Sequence, residues 1–220
     1  MSILDKIYEK IKGGYFAFLA LLAIAFGVFV SLIFFFADNP SFSILTHYIS
    51  DIGAGPSASR VIFSIGMILG AVFLIFLLLF IGKYLKSIEE KSQRIWIFLY
   101  PGVIAELGLI LIGIYPLDRA DSTVFAIHSL AAVIFFIFTA ISNLGLGYIE
   151  FKNSEFSKFY ALISVITGIF SAIFAFGFII QEYSVLGSHQ FIYLSEWIFL
   201  AFITIWLIIH GLLFMKKREE

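Results

Sequence analysis

The sequence predicts an all-α polytopic membrane protein, a single domain over residues 1–220 built as a bundle of six transmembrane helices with both termini in the cytoplasm. Three observations predict it. The chain is 61% hydrophobic and only 13% charged, whereas a soluble domain carries about a quarter charged residues to solvate its surface. Apolar runs of about 20 residues, the length at which a helix crosses hydrocarbon with every backbone group satisfied internally, recur along the chain. The Lys and Arg residues between those runs gather on one side.

The spans are read at about 15–36, 61–82, 95–115, 123–148, 159–180 and 194–215, each bounded by polar or turn residues. The first is too long for a cleavable signal peptide, and no small-x-small site precedes Asp38-Asn39-Pro40, so it is expected to remain in the mature protein. Lys6, Lys10 and Lys12 precede span one; Lys83, Lys86, Lys91 and Arg94 lie between two and three; Lys152 and Lys158 lie between four and five; Lys216, Lys217 and Arg218 follow span six. The opposite side holds only Arg60 and Arg119. The positive-inside rule therefore predicts cytoplasmic termini and a multi-pass protein of the cell membrane.

Composition also excludes function classes. With no Cys, thiolate metal sites, iron–sulfur clusters and thiol nucleophiles are ruled out. A formal net charge of −1, from 14 basic and 15 acidic residues, argues against a nucleic-acid partner, whose phosphates call for a basic surface. Phe34-Phe35-Phe36 and Phe135-Phe136 read as lipid solvation rather than binding boxes. Gly66-x-x-x-Gly70 reads as close helix packing within the bundle, with homodimerisation as a second use.

The two faces differ in their loops. Those on the basic side are short and charged, whereas the first outer loop, residues 37–60, is the longest and carries Pro40, Gly53, Gly55 and Pro56 around His47 and Asp51. That pattern predicts an ordered, re-entrant type of segment. Ionisable side chains inside a span are costly and face protein or water. Counted from the outer ends at 1.5 Å per residue, Glu196 lies roughly 3 Å, His128 roughly 8 Å and Glu106 roughly 13 Å deep, against roughly 24 Å for His210. The first three can share an outer-leaflet cavity formed by spans three, four and six. His210 cannot, which weighs against a haem held by His128 and His210.

Asp118, Arg119, Asp121, Glu182 and His189 are expected near the cavity mouth, with Asp118 and Arg119 able to pair with each other. His128, Asp51 and Glu106 are the candidate catalytic residues, and Ser50, Asp51, Asp118 and Arg119 the candidate substrate contacts. No cofactor is expected. The alternative is zinc on His47, His128 and Glu196, the oxygen and imidazole ligands a Cys-free site would use, although no compact motif such as H-E-x-x-H is present.

Two stretches carry a resemblance. His47-Tyr48-Ile49-Ser50-Asp51-Ile52-Gly53-Ala54-Gly55-Pro56 and Gly113-Ile114-Tyr115-Pro116-Leu117-Asp118-Arg119, the latter leading to His128-Ser129-Leu130-Ala131-Ala132, resemble the prokaryotic membrane family catalogued as domain of unknown function 998. The likeness includes the six-span layout and implies no particular activity. The Ile-Ser-Asp-x-Gly-x-x-Pro segment, with the His of span four, is more distantly similar to the six-span damage-regulated autophagy modulators and GPI-anchor lipid-remodelling proteins. That resemblance implies handling of membrane lipids.

The leading expectation is thus a membrane protein that binds or processes a lipid or lipid-linked molecule in an outer-leaflet polar cavity. Membrane lipids are its partners, with a homo-oligomer or a larger membrane complex as a further association. If bonds are broken, the class is hydrolysis or acyl transfer, with His128 or Glu106 as general base. The alternatives are a non-enzymatic accessory or assembly subunit, and a proton-coupled transporter using Glu106.

Overall fold

The computed structural model describes residues 3–88, 95–183 and 189–216, with the side chains of 3 and 181–189 excepted. A short amphipathic helix, α1 (Ile3–Lys10), precedes the spans. It docks through Tyr8, whose hydroxyl donates to the Phe76 carbonyl at 2.9 Å, and through Asp5, 3.1 Å from Lys83 Nζ.

Six helices are long and apolar enough to cross a membrane. The first runs from α2 (Gly13–Ala25) through a π-helical turn (Phe26–Val30) into α3 (Ser31–Asp38). The short α4 (Ile49–Gly53) follows in the loop after α3, and the remaining spans are α5 (Ser57–Ile88), α6 (Trp96–Ile114), α7 (Ser122–Lys152), α8 (Lys158–Tyr183) and α9 (His189–Lys216). Most outgrow the apolar runs that predict them, because the helices continue through the headgroup layers where charged residues are solvated. Lys91, Arg94, Lys217 and Arg218, which contribute to the basic side, lie outside the described residues.

The main helix contacts follow chain order, α2 on α5, α5 on α6, α6 on α7, α7 on α8 and α8 on α9, and α9 then packs back on α2. The spans thus form a closed ring. Its outer surface presents Leu22, Phe29, Ile33, Leu130 and Phe176, as helices solvated by lipid do.

Without a hydrophobic force between helices in lipid, close packing and interhelical hydrogen bonds hold such a ring. Ser31 donates its hydroxyl to the Ser59 carbonyl at 2.9 Å, joining the first span to α5. Ser142 donates to the Phe98 carbonyl at 2.9 Å, joining α7 to α6, and Ser171 to the Phe136 carbonyl at 2.7 Å, joining α8 to α7. The tightest approach is between the first two spans. A Cβ on Gly66 would lie 2.4 Å from Gly27 Cα, so the Gly66-x-x-x-Gly70 pattern serves packing inside the bundle.

Candidate functional site

At the lysine-poor end of the ring, the loop between α3 and α5 folds inward as a lid. Its centre is α4, whose N-terminal turn is fixed by Asp51: the Tyr48 backbone N–H donates to Asp51 Oδ2 at 2.8 Å. The other carboxylate oxygen accepts from Arg119 Nη1 at 2.6 Å. Asp51 is 4% exposed, so both its oxygens are committed within the protein. Two contacts from α9 complete the seat: the Ile49 N–H donates to Glu196 Oε2 at 2.7 Å, and Trp197 Nε1 donates to the His47 carbonyl at 3.1 Å. Ser59 ties the back of α4 to α5 by donating to the Ile52 carbonyl at 2.6 Å.

Beneath the lid, the ring surrounds a cavity of about 310 Å³, a size at the lower end of small-molecule sites, which span about 300–1,000 Å³. All six spans line it, where the sequence predicts three. On α7 the lining face is His128, Ala132, Phe135, Thr139, Ser142 and Leu146, an alternating four- and three-residue spacing that keeps one stripe turned inward. Over that stripe the wall extends about 27 Å along the helix. The cavity is therefore longer than an outer-leaflet pocket and mostly apolar.

Its polar groups fall in two places. Near the lid are Ser50, Arg119, His128 and Glu196. His128 Nδ1 lies 2.8 Å from the Tyr115 carbonyl, and since a carbonyl only accepts, Nδ1 carries the proton and the neutral ring keeps Nε2 as an acceptor. Tyr48 also lines this end, its ring 4.4 Å from that of Tyr193. Burial pushes the Tyr48 phenol above its ordinary range, with Tyr193 and Glu196 adding to the effect, so it stays protonated at neutral pH.

Deeper in the cavity lie Glu106, Thr139 and Asn143. Glu106 Oε2, Thr139 Oγ1 and Asn143 Oδ1 are buried with no hydrogen-bond partner among the described residues. Gly102, one turn from Glu106, leaves room for Ser142 and Leu78, either of which a Cβ there would meet at 2.8 Å.

A second buried polar cluster closes the lysine-rich end. His210 Nε2 lies 2.7 Å from Glu150 Oε1, Ser164 donates to Glu150 Oε2 at 2.7 Å, and Trp206 Nε1 donates to Ser164 Oγ at 3.0 Å. His210 Nδ1 donates to the Trp206 carbonyl at 3.0 Å, so Nε2 and Oε1 share one further proton and the pair is neutral as a unit. Glu150, His210 and Ser164 are 0% exposed, and each is bonded. This cluster locks α7, α8 and α9 together.

Of the residues the sequence singles out, Glu106, His128, Glu196, Ser50 and Arg119 meet at the cavity. Asp51 does not line it and acts through Arg119 and α4. Asp118 and Arg119 do not pair with each other, because they point to different partners: Asp118 lies 3.8 Å from Arg60 on the outer surface, and Arg119 turns inward to Asp51. Asp121 caps α7, accepting from the Thr123 and Val124 N–H groups at 2.9 and 3.1 Å.

His47 packs its ring against Phe35 and Phe42, with Nδ1 2.9 Å from Thr46 Oγ1. His47, His128 and Glu196 are therefore not gathered, and no cluster of three His, Asp or Glu side chains with metal-binding geometry occurs among the described residues. The side chains of Glu182 and His189 lie outside the described residues.

Sequence reasoning missed Phe135 and Phe136, which are buried on the cavity wall rather than facing lipid. It also missed Glu150, whose place at the end of a span reads as an interfacial charge. Its distance of sixty residues from His210 hides the pairing.

No curated protein and no solved structure matches the chain, so the more distant resemblance to autophagy modulators and lipid-remodelling proteins gains no support. A family profile described as protein of unknown function (DUF998) matches residues 18–213, from within α2 through every span into α9. With nearly the whole ring inside that match, lid and cavity included, this membrane protein belongs to the DUF998 family.

Proposed function

We propose that the protein binds a lipid or lipid-linked molecule in the central cavity, entering from the lysine-poor side, which the positive-inside rule makes the outer leaflet. The observation that carries this reading is the cavity itself, about 310 Å³ of mainly apolar wall with polar groups at two levels. Protein interiors are close-packed, and walls that stand apart by this much give up on the order of several kcal/mol of mutual packing. An apolar chain in the cavity would offset that cost, and the polar stations would fix its orientation.

In this reading Arg119, His128 and Ser50 meet the ligand near the lid, while Asp51 and Glu196 position that end by holding Arg119 and α4. Arg119 is the member that reaches the surface, its side chain 56% exposed. His128 Nε2 can accept a proton or hydrogen bond from a ligand hydroxyl, the role a general base would take if the ligand is also processed.

The test is extraction of the purified protein followed by mass spectrometry, with Ala132→Trp as the comparison. Ala132 is on the inward stripe, and an indole there occupies the cavity. A lipid species enriched with the wild type and lost from the folded Ala132→Trp variant is the expected result. Identical extracts from the two proteins would overturn the reading.

A further inference from the structure

The chemistry of the wall limits what can occupy the cavity, an inference that rests on the proposed reading of it as a ligand site. The acidic and basic side chains that line it are Glu106, Glu196, His128 and Arg119. Among the described lining residues Arg119 is the one permanent cation, and the Asp51 carboxylate 2.6 Å away balances its charge. The two carboxyl groups are at best neutral. A phosphate or carboxylate would therefore meet hydrogen-bond donors of Arg119 but no net positive charge, and an anion taken out of water without counter-charge costs several kcal/mol.

The deep station points the same way. Glu106, Thr139 and Asn143 are 6%, 5% and 7% exposed, and each carries a buried polar atom without a partner among the described residues. Asn143 donates one Nδ2 hydrogen to the Thr139 carbonyl at 3.1 Å, and its Oδ1 is left to accept. The carboxyl and amide oxygens accept, and the Thr139 hydroxyl both accepts and donates, so a polar group that donates finds an acceptor at each of the three. On α7, Thr139 lies about 16 Å below His128 along the helix. A buried acceptor left unmatched is penalised by its full desolvation cost, which is what makes such a site selective.

We infer that the cavity takes an amphiphile whose polar group donates hydrogen bonds and bears no negative charge, a hydroxyl or an amine, and that it discriminates against a phosphate on the same chain. Glu106, Thr139 and Asn143 are the residues that read this group.

Three chain-matched probes test it: tetradecanol, tetradecylamine and tetradecyl phosphate, each added to the detergent-solubilised full chain and scored as bound mass on the intact protein. The alcohol and the amine are expected to bind at least about tenfold more tightly than the phosphate, the equivalent of one well-formed hydrogen bond or charge pair. Ala132→Trp should abolish their binding.

Glu106→Gln preserves volume and supplies a second route if the tryptophan variant does not fold. It should keep the alcohol and weaken the amine about tenfold by removing the carboxyl group. Phosphate binding that equals or exceeds that of the alcohol and is lost in Ala132→Trp would overturn the selectivity while leaving the cavity a ligand site. Binding of all three probes that both variants leave unchanged would overturn the cavity reading as well.

Discussion

Arg119 donates to Asp51 across the mouth of the ring, linking the loop between α6 and α7 to the lid helix at 2.6 Å. The pair is asymmetric: the Asp51 side chain is 6% exposed and that of Arg119 56%. Asp51→Ala removes the acceptor of both Arg119 and the Tyr48 N–H, so it should cost more than Arg119→Gln. Because Arg119 can return to water, the loss is about 2 kcal/mol, the range of a hydrogen bond to a charged group. The lid should also open. Limited proteolysis within residues 37–60 should be faster in Asp51→Ala than in wild type, and equal cleavage rates would show that Asp51 does not hold it.

The Glu150 and His210 pair makes the opposite case, both side chains being fully buried. His210→Ala leaves the Glu150 carboxyl without its main partner, a change that costs about 3–5 kcal/mol when a buried pair is broken from one side. Replacing both with apolar residues of similar volume, Glu150→Leu with His210→Phe, should recover most of that loss. Thermal unfolding of the two single variants and the double in detergent measures it. A double variant as unstable as the sum of the singles would show that the pair is not a unit.

Glycines on the helix faces should rank by what a Cβ would meet. Gly66→Ala drives a methyl group into the Gly27 backbone, which cannot move without parting the first two spans, and is expected to cost about 2 kcal/mol or more. Gly70→Ala meets the Ile24 side chain at 2.5 Å, which can change rotamer, so its cost is smaller. At Gly177 the nearest atom is 3.4 Å away, and alanine should be neutral. Unfolding temperatures in the order Gly177→Ala, Gly70→Ala, Gly66→Ala, highest first, are the outcome; the reverse order would deny the close approach.

What the sequence discloses about this fold follows from the strength of each signal. A hydrocarbon-crossing helix must be apolar over its whole length, so every span is readable without any partner, and the order in depth of Glu196, His128 and Glu106 follows from counting residues, although Glu106 sits deeper relative to His128 than the count implies. Which helices touch is a different matter. Phe faces lipid and protein with equal comfort, so Phe135 and Phe136 look like Phe34 and Phe36, although the first pair is buried and the second exposed. The closure of α9 onto α2 has no counterpart in the chain, nor has the choice of Arg119 between its neighbour Asp118 and the distant Asp51. Charge signs restrict such pairings; geometry decides them. Glu150 was invisible for the same reason, since a carboxylate at a span end is ordinarily solvated by headgroups.

Glu106 separates stability from function most sharply. Its Oε2 has no partner among the described residues and the side chain is 6% exposed, so the burial of that oxygen is not offset by any bond within the protein. Glu106→Leu removes that cost at nearly constant volume and should stabilise the protein by about 1–2 kcal/mol, read as a higher unfolding temperature in detergent. The same change deletes a polar contact of the deep station, so binding of the alcohol probe should weaken. If Glu106 were instead bonded into the helix packing, Glu106→Leu would lower the unfolding temperature. A rise in stability together with a loss of binding is the combination expected of a ligand-facing acid, because removing a group kept for packing would lower stability instead.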